Sequence, residues 1–269
     1  MIPDEGKKNE ACALITGASS GIGREYALLL AGRGFDLILV GNREEENRQV
    51  AREIAERYGV SVWPLYADLA RPDAAERIHA ETTARGWKVE VLVCNAGALR
   101  FGLLTNEAPE AVAGLVTLHC TTPALLCRRY GAEMRARGCG HILIMSSVTA
   151  WMPYPTVALY AATKSFLRSF ARALHDEMHD VGVHVTAVFP GAVDTPLYRL
   201  DAMWRQRLLR WGVMLPPRVV AKKGLRALFR GRSRCIPGLF AKICICGCRL
   251  LPAWAIRAVL RHPTVQRLL

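Results

Sequence analysis

The chain has 269 residues, of which 51% are hydrophobic and 22% charged, and it carries a formal net charge of +13. This length and hydrophobic content can bury one large core, as in a single α/β domain. The polar start, MIPDEGKKNE, and the lack of any run of about 18 uncharged apolar residues argue against a secretory signal and a membrane-spanning helix. We therefore expect a cytoplasmic protein, either free or attached to the periphery of a membrane.

The first predicted strand and helix are joined by a glycine-rich turn. The run ACALIT predicts a short buried strand, and a helix begins near Ile22. Between them, Gly17, Gly21 and Gly23 allow the backbone to turn tightly and to approach a diphosphate at the positive end of the helix. The pattern predicts a dinucleotide-binding turn at the head of a series of alternating strands and helices.

The second predicted strand, FDLILVG, is followed by Asn42 and Arg43 rather than by a carboxylate. In dinucleotide-binding folds an acidic residue at this point binds the ribose hydroxyls, whereas a basic residue accommodates a 2′-phosphate. Arg43, aided by Arg24, therefore favours NADP(H) over NAD(H). The alternative is that Arg43 only caps a charged helix beside the three glutamates that follow it.

The rest of the chain continues the alternation of strands and helices. The segments SVWPLYADLA, VEVLVCNAG and HILIMSS predict the third to fifth strands, and Val183–Phe189 predicts the sixth. Residues 108–137 predict one long helix or two broken ones. This spacing predicts a doubly wound parallel sheet of the Rossmann type. Leu99 and Phe101 leave the tip of the fourth strand, where a substrate pocket is expected.

Three polar side chains converge after the fifth strand. Ser147 follows that strand, and Tyr160 and Lys164 lie one turn apart on one face of the next predicted helix. A free tyrosine has a pKa of ~10, which a nearby ammonium group lowers. Ser147 can donate a hydrogen bond to a carbonyl while Tyr160 gives a proton to the developing alkoxide. The pattern indicates proton transfer to or from oxygen, with the hydride supplied by another group.

Four ordered motifs resemble those of the short-chain dehydrogenase/reductase family. They are TGASSGIG at 16–23, CNAG at 94–97, Ser147 with YAATK at 160–164, and FPGAVDT at 189–195. The resemblance covers roughly residues 10–240. It implies an NAD(P)-dependent oxidoreductase of the ketoreductase or hydroxysteroid dehydrogenase kind, in which Tyr160 is the acid/base, Lys164 holds the nicotinamide ribose and lowers the tyrosine pKa, and Ser147 orients the substrate.

The resemblance also implies a set of cofactor-binding residues. Asp68 is placed against the adenine, Asn95 and Gly97 line the groove, and Thr195 with Val193 contacts the nicotinamide carboxamide. Besides Tyr160 and Lys164, the full set is Thr16, Gly17, Ser19, Ser20, Gly21, Ile22, Gly23, Asn42, Arg43, Asp68, Leu69, Asn95, Ala96, Gly97, Pro190, Gly191, Val193 and Thr195.

Two positions depart from the family pattern. Cys94 stands where the first of two asparagines is common, and a structural role is expected there. His119 falls where many members carry an asparagine that helps to hold water in a proton relay to the lysine. Histidine can donate and accept hydrogen bonds and titrates near neutrality, so His119 either serves that catalytic relay or is a core histidine bonded to a backbone carbonyl.

Positive charge is concentrated in the last part of the chain. From Arg199 onward there are 16 Lys and Arg and one acidic residue, Asp201, whereas the first 198 residues have 20 Lys and Arg and 22 acidic residues. We assign residues 1–238 to the catalytic domain and 239–269 to a basic, apolar helical extension. A second copy of the chain is a further expected partner, with a monomer as the alternative.

Three interpretations of the basic segment remain open. In the first, residues 196–216 form a substrate lid. In the second, residues 242–269 form a basic amphipathic surface that lies on anionic lipid. In the third, the charge belongs only to a solvated face of the protein. An acidic carrier protein would also be attracted, whereas no nucleic-acid motif accompanies the charge. The predicted substrate-pocket residues are apolar or aromatic: Leu99, Phe101, Trp151, Met152, Tyr154, Tyr198, Met203 and Trp204.

Cys244, Cys246 and Cys248 form a cluster without a second pair at metal-binding spacing, so no metal is expected. The sequence thus predicts an NADP(H)-linked enzyme that interconverts a ketone and a secondary alcohol. Its substrate would be an apolar small molecule, a hydroxysteroid or a long-chain 3-oxoacyl compound. The alternative is a non-catalytic nucleotide-binding or membrane-associated scaffold that has kept the fold.

Overall fold

The structure, a computed structural model, describes residues 12–99, 101–151, 156–195 and 201–250, without the side chains of 248–250. The strands are β1 (Cys12–Thr16), β2 (Asp36–Gly41), β3 (Val62–Tyr66), β4 (Val89–Cys94), β5 (Gly140–Met145), β6 (Val183–Val188), β7 (Ala192–Val193), β8 (Met214–Leu215) and β9 (Arg234–Cys235). The helices are α1 (Gly21–Ala31), α2 (Glu44–Tyr58), α3 (Ala74–Ala84), α4 (Pro109–Val116), α5 (Thr122–Arg137), α6 (Ala158–Met178), α7 (Ala202–Arg210), α8 (Pro217–Leu228) and α9 (Leu239–Leu250).

Seven strands form one parallel sheet in the order β3-β2-β1-β4-β5-β6-β9. All residues of β1 and β2 are buried, as expected for strands covered by helices on both faces. Chain order reverses between β1 and β4, which pair directly. The loops after these two strands therefore lead in opposite directions and leave a crevice at their carboxyl ends. The predicted Rossmann-type sheet is confirmed.

Helices cover the sheet on both faces. On one face, Ile78 of α3, Tyr130 of α5 and Leu167 of α6 belong to a single buried cluster with the strands. On the other, Tyr26 of α1 and Leu225 of α8 pack with the opposite side chains of the same strands. Alternate residues of each strand serve the two layers, so the sheet lies in the centre of the core.

α4 and α5 form one continuous helical stretch through a π-helical turn, Thr117–Thr121. By length and composition alone, Pro109–Arg137 could cross a membrane, since an 18-residue window within it has a mean hydropathy of 1.3. In the fold, however, Leu126, Tyr130 and Met134 pack against the sheet as part of the protein core. Its apolar composition is therefore that of a core helix.

The chain after β6 returns to the edge of the crevice. β7 and β8 pair in a small second sheet that ties the segment after Pro190 to the segment after α7. α7 lies within the predicted lid, and residues 196–200 of that lid lie outside the described residues. α9 opens the predicted carboxyl-terminal extension, of which 251–269 also lie outside the described residues.

Candidate active site

A cavity of about 630 Å³ opens at the crevice between β1 and β4. Its lining combines the glycine-rich turn after β1, the tips of β2 and β3, and the loop after β4. These are positions predicted for a dinucleotide, and they include Gly17, Ser19, Ser20, Gly21, Ile22, Asn42, Arg43, Asp68, Leu69, Asn95, Ala96, Gly97 and Thr195. The small residues at the floor let a bound group approach the backbone, so the cavity fits an elongated nucleotide.

The glycine-rich turn has the backbone that this cavity needs. Gly17 has a φ of +68°, a backbone conformation that residues other than glycine rarely adopt. A Cβ at Gly23 would collide with the carbonyl oxygen of Gly17, so α1 can pack this close to the turn only with glycine there. Gly23 is buried in this packing, and it supports the cavity rather than lining it.

Thr16 and Asn95 link the turn to the loop after β4. The buried Thr16 Oγ1 accepts hydrogen bonds from the backbone N–H groups of Asn95, at 2.9 Å, and Ala96, at 3.0 Å. In return, Asn95 Nδ2 donates to the carbonyl oxygens of Thr16, at 3.0 Å, and Gly17, at 3.3 Å. Thr16 thus holds the two walls of the cavity together and is not itself part of the lining.

The two arginines predicted to select NADP(H) have different surroundings. Arg43 lines the cavity beside Asn42, and its Nη1 lies 2.9 Å from Glu46 Oε2 in an exposed ion pair. Arg24 donates two hydrogen bonds to the Glu53 carboxylate, at 2.6 and 2.7 Å, and is not part of the cavity lining. An exposed pair such as that of Arg43 is weak, so its guanidinium can be redirected to a bound anion.

A second cavity, of about 100 Å³, adjoins the first and contains the predicted catalytic side chains. Ser147, Tyr160 and Lys164 all line it. Five residues shared with the nucleotide cavity, Ile22, Asn95, Gly97, Ala98 and Thr195, line it too. Its remaining lining comes from Met145, Ser146, Pro190, Gly191 and Val193.

Lys164 is buried behind Tyr160. Its side chain is 5% exposed, its Nζ donates to the carbonyl oxygen of Met145 at 3.0 Å, and the same Nζ lies 5.5 Å from the centre of the Tyr160 ring. Burial lowers the pKa of Lys164 to about 8, because an ammonium group loses its hydration in the core. The ammonium form therefore predominates near neutrality and places a positive charge next to the tyrosine.

His119 connects the loop after β4 with the Tyr160 helix. Its Nε2 accepts a hydrogen bond from the N–H of Ala98 at 3.0 Å, so that nitrogen carries no proton. Nδ1 then donates to Thr163 Oγ1 at 2.9 Å, and the Thr163 hydroxyl donates to the Tyr160 carbonyl oxygen at 2.8 Å. Burial, and then the charge of Lys164, hold the pKa of His119 well below its ordinary value.

The imidazole of His119 is therefore neutral, and both of its nitrogens are engaged. The core interpretation expected a backbone carbonyl as its partner, but the partners are a backbone N–H and a hydroxyl. This arrangement favours a positioning role for His119, while its participation in a proton relay stays a prediction.

Ser147 lies at the start of a 3₁₀ turn, Val148–Ala150, and is 8% exposed. Its Oγ accepts a hydrogen bond from the N–H of Thr149 at 3.2 Å, which leaves its own O–H to donate into the cavity. Its neighbour Ser146 donates to the carbonyl oxygen of Lys164 at 2.8 Å and so joins β5 to α6. The strand and the helix that carry the three polar groups are therefore fixed to each other.

Two contributors to the site were missed from sequence. Thr163 bridges His119 and Tyr160, and Ser146 bridges the serine strand to the lysine helix. Both are adjacent to a predicted catalytic residue, but adjacency along the chain does not reveal which way a side chain turns. Cys94, which replaces an asparagine of the family pattern, is buried in β4 next to Cys127. It has the structural surroundings that were expected.

The predicted substrate-pocket residues are only partly placed. Met152, Tyr154 and Tyr198 lie outside the described residues. Phe101 is 39% exposed and Met203 is 54% exposed, and neither lines the nucleotide cavity or the catalytic cavity. Leu99 and Trp204 are partly buried, and neither lines these cavities.

A small apolar pocket of about 30 Å³ does border Tyr160, and its walls include Leu104, Val112, Leu115, Val157 and Leu159.

The position of Trp151 differs from the expectation. Its ring packs on Phe189, with centroids 4.5 Å apart, and the Arg168 guanidinium lies 5.0 Å from its centre. The 3₁₀ turn after Ser147 redirects the chain, so the indole lines a separate basic cavity instead of the catalytic one.

Helix α7, in the predicted lid, is anchored beside the catalytic cavity. Arg205 donates from Nε and Nη2 to the two carboxylate oxygens of Asp194, at 2.5 and 2.9 Å. Asp194 lies between Val193 and Thr195, so this pair ties α7 directly to the cavity wall. Elsewhere, among the described residues, no group of three His, Cys, Asp or Glu side chains is arranged to hold a metal ion.

The sequence matches the short chain dehydrogenase family over residues 11–205. An uncharacterized oxidoreductase, YmfI, of Bacillus subtilis is 36% identical over 187 residues, which cover 68% of this chain and 75% of that protein. The very-long-chain 3-oxoacyl-CoA reductase of Anas platyrhynchos is 33% identical over 71% of this chain and 62% of its own length. The human 17-beta-hydroxysteroid dehydrogenase type 3 is 32% identical over 69% of this chain and 60% of its own length.

Solved structures with the same fold extend the comparison. A short-chain dehydrogenase from Sphingobium yanoikuyae in complex with NADPH superposes with a TM-score of 0.78 at 28% identity, over 89% of this chain and 94% of that one. By contrast, the match to the 3-oxoacyl-CoA reductase and to the 17-beta-hydroxysteroid dehydrogenase spans only about three fifths of their length.

Proposed function

Because the chain belongs to the short-chain dehydrogenase/reductase family of NAD(P)-dependent oxidoreductases acting on CH–OH groups, we propose that it interconverts a ketone and a secondary alcohol on an apolar substrate with NADP(H). The observation that carries this proposal is the shared lining of the two cavities. Asn95, Gly97 and Thr195 face both the nucleotide cavity and the cavity of Ser147, Tyr160 and Lys164.

The polar groups divide the acid/base work. A bound nicotinamide supplies or accepts the hydride. The Ser147 hydroxyl donates a hydrogen bond to the substrate oxygen and polarises the carbonyl. Tyr160 gives its proton to that oxygen as negative charge develops there. The Lys164 ammonium stabilises the phenolate that remains, because it is buried in a region of low dielectric close to the ring.

His119 contributes by fixing geometry. Its ring packs against the catalytic tyrosine, and its two hydrogen bonds join Ala98, on the cavity wall, to Thr163, one turn along the helix from Tyr160. A neutral imidazole holds these partners without bringing a second positive charge next to Lys164. It thereby restrains the tyrosine relative to the loop that borders both cavities.

The preference for NADP(H) is supported by the rim of the nucleotide cavity. No carboxylate follows directly after β2, where Asn42 and Arg43 stand instead, and a guanidinium there can bind a 2′-phosphate. The NADPH complex of the related bacterial dehydrogenase supports the same choice.

The substrate class is supported by the names of the relatives, while the pocket beside Tyr160, at about 30 Å³, adds only that the wall next to the tyrosine is apolar. Leucine and valine side chains form much of that pocket. The relatives named as a very-long-chain 3-oxoacyl-CoA reductase and as a 17-beta-hydroxysteroid dehydrogenase point to long-chain 3-oxoacyl compounds and ketosteroids as the first candidates.

Fluorescence titration with NADPH and NADH, followed by a screen of ketosteroids, 3-oxoacyl thioesters and aromatic ketones for NADPH oxidation, tests the proposal. We expect tighter binding of NADPH and turnover of one apolar class. Binding of neither nucleotide would overturn the proposal. Nucleotide binding with no turnover of any ketone, or of the alcohols in the reverse direction, would favour the alternative of a non-catalytic scaffold.

A further inference from the structure

A basic cavity of about 900 Å³ lies between α8, β9 and α9. Its lining includes six cationic side chains and no acidic one. The cations are Lys223, Arg226, Arg230, Arg232, Arg234 and Lys242. All six residues are exposed, so their charges face solvent. The floor is apolar or small and includes Ala227, Ile236 and Ile245.

In the part of the chain that the structure describes, these charges are not paired with acidic side chains. Within the described residues, none of the six cations has a carboxylate within salt-bridge distance. The sequence limits local partners as well, because no Asp or Glu occurs after Asp201. Since like charges repel, such a cluster raises the free energy of the folded chain unless it meets an anion. The basic cavity is therefore a surface that favours a negatively charged partner.

The helix that borders the basic cavity also exposes apolar side chains. Leu239, Phe240 and Ile243 are 72%, 43% and 59% exposed, and we call them the α9 outer face. Ala241 and Ile245, on the other side of the same helix, are only 4% and 5% exposed. An amphipathic helix normally presents polar groups to water, so the outer face is suited to a second apolar environment.

Only some partners match both features. A soluble phosphate compound would satisfy the cations but leave Leu239, Phe240 and Ile243 in water. A second copy of this face would bring two sets of six cations together, which electrostatics opposes. A membrane that contains anionic lipid offers phosphate groups to the cations and acyl chains to the apolar side chains.

We propose that the basic cavity and the α9 outer face together form a binding surface for anionic lipid bilayers. The α9 outer face enters the boundary between headgroups and acyl chains, and the six cations bind the lipid phosphates around it. This association is peripheral, because the depth reached is that of side chains on one helix lying along the surface.

The proposed lipid-binding surface, formed by the basic cavity and the α9 outer face, lies next to the catalytic cavity. A Cβ placed on Gly191, which lines the catalytic cavity, would be 3.6 Å from the Cβ of Ala241 on the inner face of α9. Trp151, which lines the basic cavity, follows the turn that begins at Ser147. An apolar molecule dissolved in the bilayer would thus be kept close to the crevice.

Vesicle flotation of the full chain tests the surface without requiring turnover. We expect it to bind vesicles of phosphatidylcholine mixed with phosphatidylglycerol much more tightly than vesicles of phosphatidylcholine alone, and we expect added salt to weaken the binding. Arg226→Glu with Arg230→Glu should weaken binding on the order of a hundredfold. Phe240→Ser with Ile243→Ser should weaken it roughly tenfold or more.

Matched variants exclude trivial effects of charge and polarity. Arg128→Glu with Arg135→Glu makes the same change in net charge at exposed positions of α5, and Leu125→Ser with Phe166→Ser replaces exposed apolar side chains elsewhere. Both controls should bind vesicles like the unmodified chain, and thermal melting should show that all four variants fold.

Three results would overturn the proposal. The first is absence of binding to the anionic vesicles, and the second is equal loss in the control variants. The third is binding of an acidic protein or of inositol hexakisphosphate by the unmodified chain without any binding to vesicles. The salt dependence of the unmodified chain keeps the proposal testable even if a variant does not fold.

Discussion

The ring of His119 meets the ring of Tyr160 edge-on, with the two centroids 5.6 Å apart and the ring planes at 75°. This packing, together with the hydrogen bonds through Ala98 and Thr163, makes the position of the tyrosine depend on a histidine 41 residues earlier in the chain. The asparagine of the related pattern is shorter than histidine and cannot provide the same ring contact.

Replacement of His119 tests its positioning role. His119→Asn should keep one acceptor for Ala98 and lower kcat by about tenfold or less, with KM for the ketone little changed. His119→Ala leaves buried hydrogen-bonding partners unsatisfied and should lower stability by roughly 1–3 kcal/mol as well. Steady-state kinetics and urea unfolding measure the two effects. A greater loss of kcat in His119→Asn than in His119→Ala would contradict a positioning role.

Tyr160→Phe removes the proton donor and keeps the ring packing against His119. We expect turnover to fall by roughly 10²–10⁴-fold, the usual contribution of a positioned general acid. Affinity for NADPH should change little, and a fluorescence titration measures it independently of turnover. Ketone reduction that continues at the original rate would show that another group supplies the proton.

Lys164 should impose a limit on the alkaline side of the pH profile. Its pKa is lowered to about 8 by burial, so the ammonium form, present below that pH, is lost as the pH rises. The reduction rate should therefore fall above about pH 8, because the phenolate left on Tyr160 loses its positive neighbour. The Lys164→Met variant should reduce the ketone slowly at every pH, and its rate should show no fall above about pH 8. The same fall in rate above about pH 8 in the variant would show that another group causes it.

Arg43 should determine the choice of nucleotide. Arg43→Ala removes a charged donor at the rim and should weaken NADPH binding roughly tenfold, with little effect on NADH. Arg24→Ala is the matched control, because Arg24 is held by Glu53 outside the cavity. Titration of both variants with both nucleotides tests this. Equal losses in the two variants would show that Arg24 also reaches the 2′-phosphate.

Acid should destabilise the fold through His141. Burial, and then the charge of His184, lower the pKa of His141 to about 4. Below its ordinary pKa of about 6.5 the unfolded chain binds a proton that the folded chain does not, so stability falls as the pH drops from there toward about 4.

We expect the loss to be roughly 1–3 kcal/mol after screening by solvent. His141→Phe should reduce this dependence in urea unfolding, since the site already contacts Phe229. The same acid sensitivity in the variant would place its origin elsewhere, His119 being the first alternative because its pKa is also lowered.

Much of the fold could be predicted from sequence because its signals are local. The buried strands read as continuous apolar runs, and Gly17 marks the first strand-to-helix turn. The placement of Ser147, Tyr160 and Lys164 around one cavity follows from a strand end and from helical spacing alone. These features need no knowledge of distant contacts.

The remaining features depend on partners far apart in the chain. The bond from Ala98 to His119 joins a strand end to a π-helical turn, and the pairing of Arg24 with Glu53 joins two helices. Neither can be read from periodicity. Trp151 lines a different cavity from the one expected for a similar reason, because a single 3₁₀ turn decides which side of the loop its ring takes.

The hydrogen bonds of Thr16 have a thermodynamic consequence for the nucleotide site. The N–H groups of Asn95 and Ala96 are already held in place, so the floor of the cavity has little conformational entropy left to lose when a nucleotide binds. Affinity at this floor should then be similar for NADH and NADPH. Discrimination between them is left to the exposed rim, where a single guanidinium can exchange one carboxylate for a phosphate.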